Sequence, residues 1–327
     1  DKIDFENGTV NVEGTVYPLN DIFFPTIDPN NPYELTEEER AVMNSLSASI
    51  INSERLQTHI RYMFSHGSLY KRINGNLLFH GCIPMDENGE FLPVDIYGAK
   101  CAGRALMEHL DKQIRASYFT PEKIKKYGKA GDLMWYLWLA KDSPLFGKEK
   151  MTTFERLFID DKASHKEHVR PYYKLINSKE PCEKILREFG LDPSHSKILN
   201  GHVPVKIKNG ESPIKGGGLL YVIDGGISKA YQKQTGIAGY TFIFNSRFMA
   251  LAEHKPYEPL REDGTQKFFS PSMKTVDTLK TRMLVIDTDE GAELLRQAEA
   301  VKRLVEAYRT GEIKERAEGK YSAYKGK

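Results

Sequence analysis

Asn76-Leu77-Leu78-Phe79-His80-Gly81-Cys82-Ile83-Pro84-Met85 is an apolar run that reaches a histidine and then a glycine. With Gly75 ahead of it, the run reads as a short buried strand, and Gly81 permits a sharp turn at its end. A second stretch repeats the design, with Lys197-Ile198-Leu199-Asn200 leading into Gly201-His202-Val203-Pro204-Val205. A histidine at the carboxyl end of a strand, beside a small residue, lies in the crevice where α/β sheets bind ligands. Its neutral imidazole is a good ligand for manganese, iron or zinc. His80 and His202 are therefore candidate ligands of one metal, although a single such histidine is more often a satisfied core or loop residue.

Working outward, Thr36-Glu37-Glu38-Glu39 has the form of a capping box. Behind it Val42, Leu46, Ile50, Leu56, Ile60 and Phe64 recur at near-helical spacing as far as Gly67. This predicts one long amphipathic helix. Residues 1–35, interrupted by Pro18, Pro25, Pro29 and Pro32, read as an irregular lead-in that lies across another surface. Two helices are expected over 99–141, the second ending in Met134-Trp135-Tyr136-Leu137-Trp138-Leu139. From Ile198 onward the texture is β, and the strands at 197–200, 219–224, 240–244 and 283–286 are expected to form one sheet. A last helix carries Leu294, Ala298, Val301, Val305 and Tyr308 as one apolar stripe. Four segments follow: 1–98 with the lead-in, long helix and first site strand; 99–196, mainly helical; 197–310, β-rich; and a tail at 311–327.

Of the 327 residues, 47 are basic and 45 acidic, a net charge of +2. That balance gives no electrostatic case for a nucleic-acid or membrane-surface partner. Cys82, Cys101 and Cys182 match no zinc spacing and are odd in number, so they read as small core residues in a reducing compartment. The apolar runs fall short of the roughly 20 residues that span a bilayer, and the first residues do not form a signal peptide. A cytoplasmic location is expected.

His80-Gly81-Cys82 and Gly201-His202-Val203-Pro204 resemble the fourth and fifth motifs of the calcineurin-like metallophosphoesterases. Four blocks in family order add specificity: Phe24-Pro25-Thr26-Ile27-Asp28; Asn76 to Met85; Ser143-Pro144-Leu145-Phe146-Gly147-Lys148 with Met151-Thr152-Thr153-Phe154-Glu155-Arg156; and Asn200 to Val205. From about residue 15 to about residue 310 the chain is similar to class III fructose-1,6-bisphosphatases. The resemblance implies an α/β (α+β) fold, the C-terminal part of a calcineurin-like sandwich with a helical insertion. It implies hydrolysis of the 1-phosphate of fructose 1,6-bisphosphate, in gluconeogenesis, at a two-metal site using Mn2+ or Mg2+. His80 and His202 would bind the second metal. The family's first three motifs, Asp-x-His, Gly-Asp-x-x-Asp-Arg and Gly-Asn-His-Asp/Glu, do not occur here; Gly131-Asp132 runs into Leu133-Met134, and Gly75-Asn76 into Leu77. The catalytic residues are therefore expected upstream. An N-terminal half of the same protein would complete the site, this chain being inactive alone, and the resemblance leaves room for a homo-oligomer.

A bisphosphate needs cationic contacts. Lys148, Arg156 and Lys206 are the candidates, Arg156 because a guanidinium clasps phosphate bidentately; the competing reading is a solvated basic loop. Asp224, in Asp224-Gly225-Gly226, is placed to orient a histidine ligand or simply to make a turn. Lys215-Gly216-Gly217-Gly218 precedes a strand and reads as a hairpin turn, not as a phosphate cradle. His165-Lys166-Glu167-His168 lacks zinc spacing and reads as an exposed helical turn. The alternative to an enzyme half is a noncatalytic regulatory or assembly module.

Overall fold

The computed structural model describes residues 2–121, 130–226, 228–256, 263–264 and 271–314. The chain divides into two units, residues 1–240 with 255–267, and residues 241–254 with 268–327. Its strands are β1 (Ile3–Asp4), β2 (Thr9–Val12), β3 (Thr15–Pro18), β4 (Tyr70–Ile73), β5 (Asn76–Phe79), β6 (Val94–Ile96), β7 (Ala99–Cys101), β8 (Ile198–Asn200), β9 (Ile214–Lys215), β10 (Leu220–Val222), β11 (Gly239–Phe244), β12 (Phe248–His254) and β13 (Ser272–Thr278). The helices are α1 (Glu37–Ile51), α2 (Glu54–His66), α3 (Gly103–Phe119), α4 (Ala130–Leu139), α5 (Thr153–Phe158), α6 (Tyr172–Leu175), α7 (Lys179–Glu188), α8 (Lys229–Thr235) and α9 (Asp289–Arg309). This is a mixed α/β architecture.

The centre of the first unit is a five-stranded sheet in the order β4-β5-β8-β10-β9. Its three inner strands run parallel, with Leu77 opposite Ile198 and Val222 opposite Asn200. The inner strands are almost wholly buried, as parallel strands covered on both faces must be. That explains why they read as unbroken apolar runs and not as alternations. Leu106, Met107 and Leu110 of α3 and Cys182, Ile185 and Leu186 of α7 are buried. Tyr172 and Phe189, both fully buried, complete this core.

Burial controls the cysteines. It pushes the Cys82 and Cys182 thiols up to about 12, so at pH 8 the reactive thiolate is a fraction of about 1 in 10⁴. Iodoacetamide at pH 8 should modify the half-buried Cys101 and reach the other two only after denaturation. Equal labelling of all three in the native protein, read by peptide mass spectrometry, would contradict this packing.

Several expectations need correction. The long helix is two helices, because Asn52 caps the end of α1 and the Ser53 side chain accepts from Leu56 N to start α2. The capping box at Thr36 and Glu39 is present. The lead-in holds a three-stranded antiparallel meander, β1-β2-β3. Its second turn is Glu13-Gly14, both at positive φ (52° and 88°), a conformation suited to two-residue hairpins. The meander ties to the end of α5 through Asn20 N to Phe158 O at 2.9 Å.

The strands beyond 198 belong to two sheets. β8 and β10 join β4 and β5, whereas β11 joins β12 and β13. Residues 285–287 form a 3₁₀ turn with exposed apolar side chains, not a strand. Lys215 to Gly218 does turn β9 back on β10, as expected. Residues 162–165 form turns and 166–168 have no regular structure, in place of a helical turn, and Glu167 bonds to Lys148 and Thr152. The expected tail lies outside the described residues from 315 onward. No helix among the described residues is long and apolar enough to cross a membrane.

Candidate metal and phosphate site

Three adjacent parallel strands deliver three side chains to one edge of the sheet. His80 follows β5, Gly201-His202 follows β8, and Asp224 lies two residues past β10. The strand pairing continues past the regular elements, with Gly201 N donating to His80 O at 2.8 Å and Ile223 N to Asn200 O at 2.9 Å. The two histidines, 122 positions apart in the chain, therefore meet: His80 Nε2 lies 3.1 Å from His202 Nδ1. Their rings are edge-to-face at 62°, with centroids 4.9 Å apart.

His202 is held in an uncommon backbone state. Its φ is 69°, and Val203 N donates to Gly201 O at 2.9 Å across it. This is a γ-turn of the rare positive-φ form, and strain of this kind gathers at functional positions. Glycine would adopt that conformation freely. His202→Gly should leave the unfolding free energy within about 1 kcal/mol of the parent while removing the ring. Denaturant titration checks this; a loss well beyond that would make the ring a packing element.

The tautomer of His202 follows from its partner. Nε2 lies 2.7 Å from Phe146 O, and a carbonyl only accepts, so Nε2 carries the hydrogen and Nδ1 keeps a lone pair. An oriented histidine whose far nitrogen donates to a backbone carbonyl is the usual arrangement around metal ligands. Burial lowers the pKa of both rings. Asp224 opposes this at His80; at His202 the Phe146 bond and Asp224 oppose it, while His80 and Lys148 add to it. Both rings are therefore neutral at pH 7, the state a metal ligand requires. Two nitrogens 3.1 Å apart match the span of donors on neighbouring corners around one ion at roughly 2.1 Å each. Among the described residues no group of three or more His, Cys, Asp or Glu side chains is placed to hold a metal. The donor set thus fits a divalent ion in part, contributing two imidazoles.

The other candidates lie at different distances from the pair. Asp224 is within electrostatic reach of both rings, and its Oδ1 accepts from Gly226 N at 2.8 Å. Lys148 lines the same cavity as the two histidines and pairs with Glu167 at 2.9 Å. Arg156 does not reach that cavity: its Nε donates to Thr152 Oγ1 at 3.0 Å and its Nη2 to His165 O at 2.9 Å. Lys206 is exposed and away from it.

Phe146 and Glu167 escaped the reading of the sequence. Phe146 acts through its backbone carbonyl, which no residue type advertises. Glu167 organises the basic loop by accepting from Lys148 Nζ, Thr152 N and Thr152 Oγ1. These bonds outweigh burial and lower its pKa.

A family model described as Firmicute fructose-1,6-bisphosphatase matches residues 1–310. Proteins named fructose-1,6-bisphosphatase class 3 are similar throughout. The one from Clostridium botulinum (strain Alaska E43) is 52% identical over 320 residues, 96% of this chain and 48% of the relative. That from Clostridium tetani is 50% identical over 319 residues, again 96% and 48%, and that from Fusobacterium nucleatum 49% over 315 residues, 95% and 48%. The chain spans about half the length of the curated relatives it matches. No solved structure matches it significantly. A match across nearly the whole chain, joined to relatives at half identity, places this protein in the Firmicute fructose-1,6-bisphosphatase family.

Proposed function

We propose that this chain supplies the second-metal histidines of a fructose-1,6-bisphosphatase, which hydrolyses the 1-phosphate of fructose 1,6-bisphosphate to fructose 6-phosphate in cytoplasmic gluconeogenesis. The observation that carries the reading is the convergence of His80 Nε2 and His202 Nδ1 at 3.1 Å. His80 and His202 would hold one ion of a manganese or magnesium pair in a calcineurin-like site. Ions held there would supply charge neutralisation at the phosphoryl oxygens and an activated water for in-line attack.

The protein's own groups do the holding and orienting. Phe146 O fixes the His202 tautomer, and burial favours the neutral form of both rings. Asp224 places a carboxylate near both. Lys148, the candidate cation beside the pair, would reach a substrate phosphate, with Arg156 and Lys206 more remote. Two imidazoles alone hold a hard divalent ion poorly, so the remaining ligands, and the groups that act on substrate, belong to the other half of the relatives' length. The test is phosphate release from fructose 1,6-bisphosphate by a protein of the relatives' full length that contains this chain, with manganese and after chelation. Manganese-dependent release is expected. Release that persists unchanged after exhaustive chelation refutes the reading.

A further inference from the structure

We propose that the apolar cavity beside the histidine pair is a socket for an apolar segment of the polypeptide that completes the full-length enzyme, and not the seat of the sugar phosphate. The cavity measures about 660 Å³ and opens between the end of α2, α3, α4 and the loop after α4. Met63, Phe64, Ile114, Met134, Leu137 and Trp138 form its walls, and His80 and His202 lie in its lining.

Its chemistry does not suit a bisphosphate. The lining has two cationic side chains, Arg115 and Lys148, and both are engaged. Arg115 Nε pairs with Asp111 at 2.8 Å, and its two terminal nitrogens donate to Phe64 O and Gly67 O. This clamps α3 to the end of α2. Lys148 pairs with Glu167 at 2.9 Å and lies close enough to His202 to affect its charge. A phosphate against Trp138 and Leu137, away from the histidine end where Lys148 lies, would be stripped of water with only the already paired Arg115 as a cation, an expensive placement.

The same walls suit a hydrophobic insert. Met63 is 57% exposed and Trp138 59%, and apolar surface grouped in a concavity marks a partner surface or a ligand groove. The relatives supply the occupant, since this chain accounts for only 48% of their length. The histidine pair also lacks a third ligand among the described residues. A segment seated in this cavity would end beside His80 and His202, where ligands from the other half are required.

Hydroxyl-radical footprinting of the full-length protein, without substrate, tests the socket at Met63 and Trp138. Each residue's native oxidation rate is compared with its rate in the denatured chain. Protection of about tenfold or more at both, unchanged by dilution, is the expected result. Three results overturn the proposal: rates close to the denatured ones with and without fructose 1,6-bisphosphate; protection that arises only when that sugar is added; and protection lost on dilution, which would assign the cavity to a second copy. The readout uses no activity, so the socket and the metal site fail separately. Met63 and Trp138 can be covered in a protein whose His80→Ala variant remains active, and uncovered in one whose variant is dead.

Discussion

On the proposed reading, replacing His80 by alanine in the full-length protein should lower manganese-dependent release of phosphate from fructose 1,6-bisphosphate by at least about 10²-fold, and His202→Ala should do the same. Loss of a residue that merely orients a metal ligand already costs 10- to 100-fold, and these two would be the ligands themselves. Neither side chain belongs to the fully buried core, since both lie past the strand ends, His80 exposed and His202 half-buried by surface area. The loss should therefore appear with little change in thermal stability. It should also be non-additive. With one imidazole gone the proposed ion would lose half of the donors this chain offers, so the double variant should be no worse than either single one. Full activity in either variant, or two independent losses that multiply, would remove the shared ion. His202→Gly serves as a control for folding, because glycine relieves the positive φ that histidine bears at this turn.

Gly81→Ala should be the most damaging single methyl group in the site. A Cβ at Gly81 would lie 2.5 Å from Pro144 O and 3.4 Å from Leu145 O. Both are backbone atoms, so no side chain can rotate away. Overpacking of this kind typically costs 1–3 kcal/mol and sometimes more, and about 3 kcal/mol is expected here. The damage also spreads to the site. Cys82 N donates to Pro144 O at 2.9 Å, and two residues further on Phe146 O holds His202 Nε2. Moving this loop shifts the carbonyl that orients His202, so activity should fall by about 10²-fold or more. Gly131→Ala is the matching control. Nothing lies within 4 Å of its added Cβ, and in a helix alanine is favoured over glycine by up to about 1 kcal/mol. Denaturant unfolding and phosphate release measured on both variants decide the matter. A Gly81→Ala protein as stable and active as Gly131→Ala would refute the close approach.

What could be read in advance depended on whether a feature is encoded locally. The capping box at Thr36 and Glu39 needs four residues and was legible. So were the runs into His80 and His202, because a strand buried on both faces must be continuously apolar, and a turn glycine marks where it stops. The break at Asn52-Ser53 shows in the sequence only as one six-residue step, Ile50 to Leu56, in a series otherwise spaced by four. In residues 1–35 the prolines masked the meander, whose turn is made by an uncommon Glu-Gly pair at positive φ. The division of the later strands between two sheets is nonlocal: β10 and β11 have similar apolar character, and composition does not name a strand's neighbour. Val285 and Ile286 looked like strand residues, yet they are 64% and 55% exposed in a 3₁₀ turn. The cavity was the least legible feature. Its walls come from three helices and a loop spread over residues 63–151, and no single stretch of the sequence announces it.

The basic residues illustrate the same limit. Lys148 and Arg156 fall in one lysine- and arginine-bearing stretch and looked equivalent. In three dimensions Lys148 borders the histidines, whereas Arg156 is bonded to Thr152 and His165. Glu167, which meets both, came from a tetrapeptide whose histidines drew the attention.

The most direct measurement is anomalous X-ray scattering at the manganese edge from crystals of the full-length protein. A peak about 2.1 Å from both His80 Nε2 and His202 Nδ1 is expected, with the remaining ligands supplied from outside this chain. Manganese bound elsewhere while these two nitrogens remain hydrogen-bonded to each other would contradict the account.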